Sequence, residues 1–190
     1  LRASVAANGR DDLQKRYLNF QASYYAGVEL AKPLQVVDDP LTNRLTLTEH
    51  YQIKDFWLRS DKHKRREAAI EAPELRDYLR QPSKLVRNSP LALQHPSELI
   101  HVTEVVLPER WDVKPEDISI KDPAFEFHRS ETWKDQTLVL TDRFKSLSES
   151  VAVSDVGRYA ANLEKARSAV NYSLYKNDPA TAEKAAKTDS

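Results

Sequence analysis

The chain has 190 residues, with 29 Lys and Arg balanced by 29 Asp and Glu, and neither cysteine nor methionine. That length suits one domain burying roughly 70% of its unfolded surface and falls short of two full ones. Zero net charge argues against a nucleic-acid binder, whose domain is usually basic, and the missing cysteine excludes thiolate catalysis and disulfides within these residues.

The first predicted element is a helix. Asn8-Gly9-Arg10 reads as a turn, and Asp11 and Asp12 supply a cap and first-turn acids where the helix dipole favours them. Leu13, Tyr17, Phe20 and Tyr24 then recur at helical spacing as a core stripe, and Gly27 sits where a helix stops. Leu34 to Val37 and Leu45 to Ile53 read as strands joined by a turn over Asp38 to Asn43, one β-hairpin with a bulge or edge position at Glu49.

Asp61 to Arg66 is a basic run, a solvated loop or a contact for a small polyanion. Pro73 opens a short helix with Leu75, Tyr78 and Leu79 inward, closed by Gln81-Pro82. Ser83 to Pro96 reads as an extended connector, because apolar residues sit between its prolines.

Ile100, Val102, Val105, Val106 and Leu107 mark a strand ended by Pro108, and Ile118 to Ile120 mark another. Phe125 and Phe127 alternate with Glu126 and His128, and Leu138, Leu140 and Phe144 return, a second hairpin. Asp135-Gln136 is not Asn-Gly, so a longer loop is expected there. A long helix starts near Ser154-Asp155 and runs on the stripe Val156, Tyr159, Leu163, Ala166, Val170 and Leu174. Residues 177–190 are Ala/Lys-rich, a short helix or a frayed tail. Strands cluster without βαβ alternation. The expected fold is α+β: an antiparallel sheet or β-sandwich over residues 1–176, with helices packed on one side and a long C-terminal helix.

Few residues carry a chemical pattern. His50, His63, His95, His101 and His128 share no HxH, HxxxH or HExxH spacing. Asp38, Asp39 and Asn43 lack the alternation, glycine and closing glutamate of a calcium loop and read as a turn. With three glycines in the chain, there is no phosphate loop and no G-x-S-x-G elbow. No catalytic, cofactor-binding or metal-binding residue is therefore assigned, and no cofactor is expected.

Several stretches together carry a resemblance. They are Asn8 to Tyr17, Tyr24-Tyr25-Ala26-Gly27, Arg44 to Tyr51 with Asp55-Phe56-Trp57, Glu74 to Leu79, Ser89 to Leu93, Asp122 to Phe125, Asp155 to Tyr159 and Asn171 to Tyr175. Together they resemble the C-terminal β-rich region of bacterial transglutaminase-like proteins. The resemblance implies an exported protein of the periplasm or cell envelope, whose Cys-His-Asp set lies in a separate catalytic core. No catalytic residue carries over to any position here. Opening at Leu1, the chain reads as a piece of a longer protein, with Leu1 to Val5 the end of a strand lying against the sheet.

Three functions follow as expectations. The first is a non-catalytic accessory domain whose partner is the transglutaminase-like core of the same polypeptide. The second is an independent glycan- or protein-binding module near Trp57, Trp111 or Trp133. The third is a hydrolase with a site assembled from distant His and carboxylates. No apolar run approaches the ~20 residues of a membrane span, and neither nucleic acid nor a membrane is an expected partner.

Overall fold

The computed structural model describes residues 2–111 and 113–177. The fold is α+β with antiparallel sheets, and the chain divides into two compact units. The first runs to Ala68 and takes in the chain again from Leu174; the second is Ala69–Ser173. The expected tail lies, from residue 178, outside the described residues.

The first unit opens with α1 (Arg2–Ala22). Arg2 to Val5 is thus helical, not the end of a strand as expected. Gly9 interrupts the helix at φ 75°, ψ 168°, a conformation open to glycine, so two helical pieces meet there. Of the expected stripe, Leu13 is buried, Tyr17 and Tyr24 are half-buried, and Phe20 is exposed. The helix stops at Ala22, where Ser23 donates its backbone N–H (3.0 Å) and its hydroxyl (2.6 Å) to the Phe20 carbonyl. Gly27 is not its stop signal. It lies five residues further on with φ 68°, at the entry to β1 (Val28–Asp39).

β1 pairs antiparallel with β2 (Arg44–Ile53), the hairpin that the alternation predicts. The register shifts around Lys32 and Pro33, where a residue without N–H costs the ladder nothing. Next to the shift, the Leu34 amide donates to Gln14 Oε1 at 2.8 Å and the Leu34 side chain is buried. A strand N–H is thereby satisfied by a helix side chain instead of the neighbouring strand.

At the hairpin turn, the Asp39 carboxylate accepts from the Thr42 hydroxyl (2.6 Å) and from the amides of Thr42 (3.3 Å) and Leu41 (3.0 Å). These bonds, led by the Thr42 hydroxyl, hold its pKa below the ordinary 3.8. A depressed carboxyl pKa stabilises the fold above the unfolded value, and the contribution is lost as pH falls through the folded one. A carboxyl NMR titration should find Asp39 among the last carboxylates to protonate. Thr42→Val should return it towards 3.8; an unchanged midpoint would show that the turn is not closed this way.

β3 (Leu58–Ser60) and β4 (Arg65–Ile70) form a second hairpin, with Lys64 at φ 51° between them. The basic run therefore lies on a hairpin turn. The last strand among the described residues, Tyr172–Asn177, joins the far side of β4.

In the second unit, a 3-10 turn (Pro73–Leu75) buries Leu75, and Leu79 follows it into the core. The connector is irregular apart from β5 (Leu91–Ala92). β6 (Glu98–Val106), β7 (Asp117–Asp122), β8 (Phe125–Lys134) and β9 (Thr137–Ser146) build one sheet in the order β6-β9-β8-β7. The β8–β9 loop is the two residues Asp135-Gln136, shorter than expected, because Asp135 accepts φ 54° without being glycine. β10 (Ser150–Val151) pairs with β5.

α2 (Val156–Val170) follows a 3-10 turn and lies on one face of the sheet. Val156, Tyr159, Leu163, Ala166 and Val170 are all buried, as the helical spacing requires. Leu174 is buried too, but in β11 (Tyr172–Asn177), since Asn171 turns extended at φ −73°, ψ 118°. The helix is therefore shorter than its apolar repeat and is not the last element.

The sheet face under α2 holds Phe125, Phe127, Leu138, Leu140 and Phe144, and, in the same row, Arg129 and Asp142. These two charged residues are cross-strand partners, 3% and 0% exposed. The Arg129 guanidinium meets both Asp142 oxygens at 2.7 and 2.6 Å and also donates to the Ala169 carbonyl near the end of α2.

Candidate functional site

The polar residues singled out by the sequence do not gather. His128 meets Asp117 (3.1 Å), His101 meets Glu74 (3.4 Å) and Thr103 (3.0 Å), and His95 meets Ser146 (3.0 Å). His50 lies half-buried on β2. Asp38 is held by Arg2 at 2.9 Å and Asp39 by its own turn. Among the described residues, no group of three His, Asp or Glu is placed to hold a metal ion.

Two arrangements imitate catalytic ones. Ser60 Oγ, His63 and Glu67 lie in sequence on the β3–β4 hairpin, at 3.3 and 2.8 Å. Both partners meet the same nitrogen, Nδ1. A triad needs the base to use one nitrogen for the nucleophile and the other for the carboxylate. Glu67 is also engaged by Arg65 at 2.7 Å, and these bonds keep its pKa below the carboxylate range, Arg65 first and His63 second.

Ser146 Oγ lies 3.0 Å from His95 Nδ1, within reach for a nucleophile and base. It also accepts the Ser97 amide (2.8 Å) and faces the Ser97 carbonyl (3.2 Å). The hydroxyl thus prolongs the β6–β9 ladder by one side-chain step.

The three tryptophans are half-buried. In the first unit, the Lys176 ammonium sits 4.5 Å from the centre of the Trp57 ring, a cation–π contact. In the second, Trp111 stacks on Trp133 at 6.0 Å and 17°. The Trp133 indole N–H and the Tyr172 hydroxyl both donate to Glu131 Oε1. Burial, then the bond to Glu131, raises the Tyr172 pKa far above the ordinary tyrosine value.

The second unit has a pocket where the connector crosses β9 and α2, with a volume of about 240 Å³. Tyr78, Phe144 and Tyr159 give it aromatic walls; Leu91, Leu93 and Pro82 add aliphatic surface; Gln81, Gln94, Ser97 and Ser146 add neutral polar groups. Its charged members, Asp77 and Arg80, bond each other at 2.6 Å. The pocket escapes sequence reasoning because its walls come from three distant segments. The aromatic Tyr78, Phe144 and Tyr159, all on predicted inward faces, point towards it in the sequence.

Compared with protein-family models, curated proteins and solved structures, the chain matches none.

The open edge of the four-stranded sheet is the second feature of this unit. Leu107 N–H donates to Gln136 O and Ser146 N–H to Ser97 O, both at 2.9 Å, so odd-numbered residues of β6 bond towards β9. The amides of Glu98, Ile100, Val102, Glu104 and Val106 therefore face the edge. The side chains of these five also form the exposed row of the strand, with Ile100, Val102 and Val106 at 38, 57 and 67% exposure.

Proposed function

We propose that the chain is a non-catalytic module that works by binding, as an accessory domain of an exported transglutaminase-like protein. Its partner is the catalytic core of the same polypeptide, and its place is the periplasm or cell envelope. The observation that supports a binding role is the open edge of β6. Free backbone groups and exposed aliphatic side chains fall there on the same residues, the arrangement to which an extended segment can add as a further strand.

The test is co-purification of the chain with the rest of its parent. Val102→Lys puts a charge into the exposed row without disturbing the buried face. It should weaken association at least about tenfold, the loss of one well-buried anchor, and leave the thermal midpoint unchanged. A core that is fully active alone and shows no affinity for the chain would sink the accessory role.

The stacked Trp111–Trp133 pair supports a second reading, a free-standing glycan- or protein-binding module, because half-exposed aromatic faces suit stacking on a ligand.

A further inference from the structure

We infer that the pocket between the connector, β9 and α2 binds a neutral saccharide ring. This deepens the glycan-binding reading and rests on it, while moving the site from the tryptophans to Tyr78, Gln81 and Tyr159. The volume of about 240 Å³ lies under the roughly 300–1,000 Å³ of pockets for drug-sized ligands, so the occupant is small.

Polar groups left open in the pocket define its chemistry. Tyr159 is 6% exposed, lines the pocket and makes no hydrogen bond among the described residues. Its hydroxyl is not one of the buried side-chain atoms left without a partner, so it keeps contact with solvent, and a ligand hydroxyl can take the place of that water. Tyr78 lines the pocket with its ring tilted against Phe144, and its hydroxyl likewise has no partner among the described residues. Gln81 spends its NH2 on the Ala160 carbonyl (3.0 Å) and on Glu164 (3.3 Å), which leaves the amide oxygen as an acceptor.

Phenols offer a donor and an amide oxygen demands one. A ligand answering both must donate and accept at neighbouring positions, which hydroxyl groups do. Asp77 and Arg80 neutralise each other, so nothing in the lining selects for charge. The half-buried Tyr78 ring supplies a face for the C–H side of a sugar ring, while Phe144 and Tyr159, 5% and 6% exposed, are packed into the core. Burial, with the Asp122 carboxylate nearby, raises the Tyr159 pKa, so the phenol remains a donor at neutral pH.

The test is an amide NMR titration of the ¹⁵N-labelled chain with D-glucose, D-galactose and N-acetyl-D-glucosamine, and with D-glucuronate as the charged counterpart. The expected result is saturable shifts at Leu93, Ser97 and Ser146 with at least one neutral sugar and weaker ones with glucuronate. Tyr159→Phe keeps the ring and should weaken that binding about fivefold, one hydrogen bond. Equal affinity for glucuronate, or for the Tyr159→Phe chain, overturns the proposal. Shifts confined to Trp111 and Trp133 overturn this pocket and leave the glycan-binding reading standing. No saturable shift anywhere overturns both.

Discussion

Asp142→Ala should destabilise the second unit by about 3–5 kcal/mol, the usual cost of stripping the partner from a buried charge. Arg129 would be left 3% exposed, with only the Ala169 carbonyl to answer its guanidinium. The cost comes from desolvation, not from lost attraction, and this leads to a contrast. Replacing both partners, Arg129→Met with Asp142→Leu, removes the stranded charge and should cost far less than the single change. Thermal unfolding of the three chains decides it. A single variant within about 1 kcal/mol of the parent would mean that the pair is solvated, since surface ion pairs contribute no more than that.

Phe125→Ala should cost about 3–5 kcal/mol, as large aromatic-to-alanine changes in cores do. Phe125 is 1% exposed, stacks on Phe144 at 5.7 Å and meets Tyr159 edge-on at the same distance. Its removal opens a cavity at the junction of sheet and helix. Phe125→Leu refills most of that volume and should cost clearly less, retaining burial while losing the ring pairs, worth about 0.5–1.5 kcal/mol each. Denaturant midpoints at unchanged m-value are the readout. Equal losses for Ala and Leu would show that ring geometry, not volume, holds the junction.

Much of the fold is legible because period-2 and helical spacing are long there. Phe125, Phe127, Leu138, Leu140 and Phe144 alternate cleanly, and Val156 to Val170 repeat cleanly. A hairpin and a helix form there, the helix ending before Leu174 and the hairpin closing on a shorter loop than expected. The failures have physical causes. Between Val170 and Leu174 a spacing of four satisfies both a helix and a strand, so the end of α2 cannot be read from apolar positions alone. At the β8–β9 turn, Asp135 takes a left-handed backbone as Asn or Asp does in tight hairpins, but Gln136 stands where the Asp-Gly signal has its glycine.

That turn has a consequence for the core. The register that it sets places Arg129 opposite Asp142, so the two charges answer each other across the strands instead of breaking an apolar face singly. The pocket was less legible still, because Tyr78, Phe144 and Tyr159 lie on three elements whose meeting only the tertiary fold decides.

β6 has a further consequence for the chain when nothing covers it. An open strand with valines and an isoleucine in its exposed row is a template for aggregation. Glu98 and Glu104 bracket Ile100 and Val102 in that row, with Val106 beyond them. A second β6 laid antiparallel and centred on His101 would set Glu98 against Glu104. The two carboxylates thus discourage the strand from pairing with itself while leaving the stretch from Ile100 to Val102 open to a different sequence.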